Sequence, residues 1–153
     1  MSIEDYIKTR VDIEIQWYSK KSKHCQNMYK GYQVAEIILA SLIPLLSVYA
    51  EKSSIVAFIV GLFGAFIAII QSITKLYKYH ENWIQYRTTC ELLKYQKHMY
   101  LTRSYPYNDV DETIENIFVK NIENIISSEN NQWKAMNVAG EDNKKGNHSS
   151  TNS

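Results

Sequence analysis

A chain of 153 residues with 17 basic and 16 acidic side chains, net charge +1, has room for one domain or one domain plus a tail. The balanced charge, with no basic-and-aromatic recognition motif, argues against a nucleic-acid partner. Two cysteines, Cys25 and Cys90, have neither the number nor the spacing of a disulfide framework and fit a reduced setting.

Residues from about 3 to 32 are predicted to form one long helix. Ile7, Val11, Glu14, Tyr18, Cys25, Tyr29 and Tyr32 fall near one face and give it a partly apolar stripe with an aromatic end. Its first residues are charged and broken up, so no cleaved leader is expected, and the first apolar run begins only at residue 34. Gly31 is either a hinge or a close contact.

Two apolar runs follow, joined by the polar turn Glu51-Lys52-Ser53-Ser54. The first, 34–50, reaches about 25 Å as a helix and carries one acid, Glu36. The second, 55–74, opens on a charge-free stretch, Ile55–Ile73, of roughly 28 Å, close to the thickness of a bilayer's hydrocarbon core. A buried hairpin in a soluble bundle is the alternative, but a soluble helix keeps a polar stripe and this one is apolar on every face. The pair is therefore predicted to be a membrane hairpin. Lys20, Lys21, Lys23 and Lys30 before it, and Lys75, Lys78 and Arg87 after it, outweigh the single Lys52 in its turn, which places both termini in the cytoplasm.

Within the spans a few positions stand out. Glu36 and Ser47 are three turns apart and share a face, which makes them the candidate pore-lining residues. Glu36 equally suits interface depth, reaching for headgroups or Lys30. Pro44 is expected to kink the first span. Gly61, Ala65, Ala68 and Ser72 line one small-residue face of the second span, suited to close packing against span one or a neighbouring subunit.

A helix over 75–102 comes next. Leu76, Tyr79, Trp83, Tyr86, Cys90, Leu93, Lys97 and Tyr100 alternate spacings of three and four, a seam filled mostly by aromatics. Tyr105-Pro106-Tyr107 ends it. Asn108 or Asp109 then caps a helix over 109–136, with Asp111 and Glu112 in its first turn. Ile114, Ile117, Phe118, Ile122, Ile125, Ile126 and Trp133 form its apolar stripe. Residues 139–153 read as a disordered tail.

Enzyme chemistry is not expected. Gly61 and Gly64 sit inside an apolar helix rather than a phosphate loop. His24, Cys25, Cys90 and His98 lack metal-ligand spacing, and His80 with Glu81 beside Trp83 suits interfacial polarity better than a base and its orienter. No catalytic residue, metal or cofactor is assigned.

Laid out in this order, the chain resembles the SLATT superfamily, the SMODS- and SLOG-associating two-transmembrane effector domains of bacteria, in one of its domain-of-unknown-function branches. The residues that carry the resemblance are Trp17-Tyr18, Pro44, the glycine-bearing second span and the block Trp83-x-x-Tyr86-Arg87-x-Thr89-x-Glu91-x-Leu93-Lys94. The tyrosines from Tyr100 to Tyr107, then Phe118-Val119, Ile122-Glu123 and Glu129 before Trp133 complete it. Cys90 stands where alanine is expected, and Gln96 where an acid is frequent.

The resemblance implies a pore-forming effector of a bacterial conflict or antiviral defence system in the bacterial cell membrane. A separately encoded sensor of a nucleotide signal would trigger it. The expectation is thus an all-α, two-span transmembrane hairpin over residues 1–138, with its long N- and C-terminal helices bundled in the cytoplasm. It would act as a homo-oligomer in membrane lipid. Trp83, Tyr86, Arg87, Thr89 and Glu91 are assigned to structure, as a buried ion-pair and aromatic cluster of that bundle. The rival expectation is a non-conducting membrane anchor or adaptor that recruits a cytosolic partner through the bundle.

Overall fold

The computed structural model describes residues 2–108 and 113–146, with no strand among them. Its helices are α1 (Ile3–Tyr6), a single π turn (Ile7–Val11), α2 (Asp12–Ala50), α3 (Ser54–Tyr77), α4 (Tyr79–Leu101) and α5 (Thr113–Gly146). The chain forms two compact units, Met1–Tyr18 with Arg87–Ser153, and Ser19–Tyr86.

The helix boundaries follow local chemistry. The Ser2 hydroxyl accepts the Asp5 amide at 3.2 Å, and Glu4 and Asp5 sit in the first turn, where acids suit the dipole. No break separates the predicted 3–32 helix from the first span: α2 runs through Gly31 and through Pro44 to Ala50. A methyl group built on Gly31 would meet nothing within 4 Å, so no close contact requires glycine there. Lys52 donates its amide to the Tyr49 carbonyl at 3.1 Å in the turn to α3.

Between α3 and α4 a single residue breaks the helix. Lys78 adopts a left-handed backbone (φ 47°, ψ 43°) and donates its amide to Thr74 at 3.1 Å, while the Asn82 side-chain amide caps the Tyr77 carbonyl at 3.0 Å. The break falls at residue 78, not after 74. At the end of α4, Arg103 (φ 53°) takes the left-handed position that glycine normally fills. The Arg103 and Ser104 amides close that end on the Tyr100 and Met99 carbonyls. The helix expected to end near Met136 continues to Gly146. Asp109, Asp111, Glu112, the Trp133 side chain and residues 147–153 of the expected tail lie outside what is described.

In the unit Ser19–Tyr86, contacts pair early positions of α2 with late ones of the following helices. Glu36 meets Gln71, Tyr32 meets Tyr79, Tyr29 meets His80, and Ser22 reaches the Trp83 carbonyl at 3.5 Å. Half-buried positions form a three-four stripe on each partner: Leu39, Ile43, Leu46 and Ala50 on α2, and Val56, Val60, Phe63, Ile67, Ile70 and Thr74 on α3. No residue of α3 is buried.

The other unit has a conventional core. Val11, Leu93, Tyr107, Phe118 and Ile122 are fully buried, with Tyr6, Tyr18, Cys90, Tyr100 and Ile114 nearly so. Phe118 is its centre, stacked on Tyr100 at 4.4 Å between ring centroids and edge-on to Tyr107 at 5.9 Å and Tyr6 at 6.4 Å. Aromatic pairs at these spacings add about 0.5–1.5 kcal/mol each beyond the area they bury. Of the predicted α4 seam, Cys90, Leu93 and Tyr100 are buried, Tyr79, Trp83, Tyr86 and Lys97 half-buried, and Leu76 exposed.

Candidate functional site

The two apolar runs place their polar side chains in two ways. Hydroxyls turn back on their own helix: Ser41 donates to Ile37, Ser47 to Pro44, Ser72 to Ala68 and Thr74 to Ile70, at 2.6–2.9 Å. Glu36 instead crosses to α3, where its Oε1 accepts the Gln71 side-chain amide at 2.6 Å. Among the described residues it makes no ion pair with Lys30. Ser47, three turns on, is exposed.

The Glu36–Gln71 contact forms one wall of an open cleft of about 480 Å³ at the polar end of the two apolar runs. Tyr29, Thr74, Lys75, Lys78, His80 and Glu81 line the rest. Aromatic rings crowd this level. Tyr29 lies 4.8 Å from His80 and His80 lies 5.8 Å from Trp83, while Tyr79 stacks on Tyr77 at 5.4 Å and stands 5.9 Å from Tyr32. Amphipathic rings at the end of an apolar segment suit a membrane–water interface. Sequence reasoning singled out Glu36 but missed the cleft, because Glu36 with Gln71 and Tyr29 with His80 come together only through helix pairing, 35 and 51 residues apart in the chain.

The four small residues of α3 are all exposed. Gly61, Ala65, Ala68 and Ser72 lie on the side roughly opposite the half-buried stripe, and a methyl group built on Gly61 or Gly64 would meet nothing within 4 Å. Of the two packing partners expected for this face, span one is therefore not the one it meets.

The second polar assembly belongs to the unit containing α5. Arg10 grips Glu123 with Nε and Nη2, both at 3.2 Å, and holds Glu14 with Nη1 at 2.8 Å, while the Tyr6 hydroxyl donates to Glu123 at 2.8 Å. Bidentate guanidinium–carboxylate geometry is the strong form of this interaction. Arg10 and then Tyr6 hold the Glu123 carboxyl below the usual range, and burial with the facing Glu123 pushes the Tyr6 hydroxyl up. Glu129 is buried and accepts the Tyr18 hydroxyl at 3.1 Å; burial raises its carboxyl, with the Glu14 charge adding and the Tyr18 bond opposing. Lys97 pairs with Asp12 at 2.5 Å. Gln96 accepts the Tyr107 hydroxyl at 2.5 Å, so an amide oxygen serves where an acid was expected. Cys90, in place of alanine, is buried with its Sγ 3.5 Å from the Ile15 carbonyl.

The block from Trp83 to Glu91 is divided. Trp83 and Tyr86 are half-buried in one unit; of the rest, Thr89 is buried and Arg87 and Glu91 are exposed in the other. The ion pair expected in a core thus lies at the surface, Glu91 with Lys94 at 3.3 Å, both about half exposed. The cause is helical register: the seam is claimed by Cys90 and Leu93, which turns residues 87 and 91 outward. Among the described residues no three His, Cys, Asp or Glu side chains converge as a metal would need.

Residues 14–115, about two-thirds of the chain, match the model of the family described as protein of unknown function (DUF4231), and the chain belongs to that family. No curated protein and no solved structure matches it.

Proposed function

We propose that this DUF4231 protein is an integral membrane protein whose two apolar helices cross the bilayer as an antiparallel hairpin, with both termini in the cytoplasm. The observation that carries the reading is exposure. The helical runs Ile3–Ala50 and Ser54–Leu101 each hold an 18-residue stretch with mean hydropathy of 1.7 and 2.4, and none of either stretch is buried by protein. The core helix of a soluble protein has the same composition but is covered. Leu45, Val48, Ile55 and Phe58, 66–72% exposed, would be costly in water and are at home in lipid.

Two spans cannot enclose an aqueous path, so the pore-forming role requires several copies. The open small-residue face of α3 supports assembly, since close backbone approach drives helix association in lipid. Glu36 and Ser47 are the proposed pore-lining positions, and the resemblance to the SLATT effectors supports a role in bacterial conflict, triggered by a separately encoded nucleotide-signal sensor. We assign no catalytic activity. Release of a trapped dye from vesicles by the purified chain, alone or with its sensor and signal, tests the reading. Absence of leakage in both cases would leave a membrane anchor. Leu92, Tyr95 and Leu101, 45–60% exposed on α4, support that second reading as a surface for a cytosolic partner.

A further inference from the structure

The cleft at the polar end of the spans holds two lysines, Lys75 and Lys78, that the hairpin itself does not use. Two acids, Glu36 and Glu81, line the same space, yet the ion pairs among the described residues are Arg10–Glu14, Arg10–Glu123, Lys94–Glu91 and Lys97–Asp12. Neither cleft lysine forms an ion pair among the described residues, and Glu36 is engaged by the Gln71 amide instead. Lys78 moreover sits in the left-handed backbone region, where any residue with a Cβ is strained and glycine or asparagine would be easier. A cation is held at that bend against local preference. The cleft opens where the apolar runs end, beside the Tyr29 and His80 rings, the level that lipid phosphates occupy when such runs cross a bilayer.

We infer that this cleft binds a phosphate group, that of a phospholipid headgroup in the cytoplasmic leaflet, with the Lys75 and Lys78 ammonium groups as its charged donors. Glu81 and the amide-bonded Glu36 face the same space and oppose the anion, which keeps the site from binding every acidic ligand tightly. The inference rests on the membrane reading above.

The test uses the full chain in mild detergent, with retained phosphatidylglycerol counted by native mass spectrometry and thermal melting followed in parallel. Retention is expected to fall at least fivefold in K75Q/K78Q, to stay unchanged in K52Q at the far end of the spans, and to rise in E81Q. K78G is expected to lose retention without losing melting temperature, which separates the site from the fold. Inorganic phosphate that displaces the lipid and protects the chain equally well would overturn the lipid as the source. Equal retention by wild type and K75Q/K78Q, in a chain that still needs detergent, overturns the site and leaves the membrane reading intact. A chain that stays monodisperse without detergent overturns both.

Discussion

Replacing Gly61, Ala65 and Ala68 together by leucine separates folding from assembly. A Cβ at Gly61 has open space around it, and Ala65 and Ala68 are exposed, so the added side chains extend away from the half-buried stripe of α3. Helix propensity even favours the change, since a helical glycine costs about 1 kcal/mol relative to a good helix former. Between two copies the effect is reversed. Forcing added side chains into a packed helix contact typically costs about 1–3 kcal/mol, roughly 5- to 150-fold in an association constant. The triple variant is therefore expected to melt at or above the wild-type temperature in detergent while its oligomer dissociates at a higher concentration. Sedimentation in density-matched detergent measures the second quantity, and vesicle leakage should fall with it. Phe66→Leu, 48% exposed outside the small-residue face, is the control and should leave both unchanged. An unaltered oligomer in the triple variant refutes the assignment of this face. A lowered melting temperature refutes the claim that the face is open.

Three further outcomes follow from the other unit. Phe118→Ala removes the fully buried ring on which Tyr6, Tyr100 and Tyr107 converge and is expected to cost about 3–5 kcal/mol, read as loss of near-UV ellipticity at lower temperature. A cost under about 1 kcal/mol would show that the core lies elsewhere. Burial raises the Glu129 carboxyl, so the folded state holds its proton more tightly than the unfolded one. Stability from this group then declines as pH climbs from the ordinary carboxylate range through the raised value, and Glu129→Gln should flatten that part of the stability–pH curve. Arg87→Ala removes an exposed side chain and should change stability by no more than about 0.5 kcal/mol, while weakening assembly if residue 87 meets a second copy; a large drop in melting temperature would return Arg87 to the core.

Local pattern made much of this molecule legible. The charge-free run Ile55–Ile73 announces α3, and the three-four spacing of Ile7, Val11 and Tyr18, then of Cys90, Leu93 and Tyr100, identifies buried faces. What escaped reading depends on distance along the chain or on the backbone. Arg10 with Glu123, Tyr18 with Glu129 and Glu36 with Gln71 are separated by 113, 111 and 35 residues, and no periodicity marks a partner so remote. The change from polar to apolar near residue 33 looks like a boundary but leaves α2 unbroken, since a helix needs no interruption where its composition changes. Lys78 conceals the true break, because lysine carries no turn signature and its left-handed geometry is imposed by the capping bonds around it.

Three serines of the apolar runs have already committed their protons. Each of Ser41, Ser47 and Ser72 spends its O–H on a carbonyl three or four residues back, so only lone pairs remain to point away from the helix. Ser47, exposed on α2, therefore presents electron-rich oxygen and no hydrogen to whatever lies beside it.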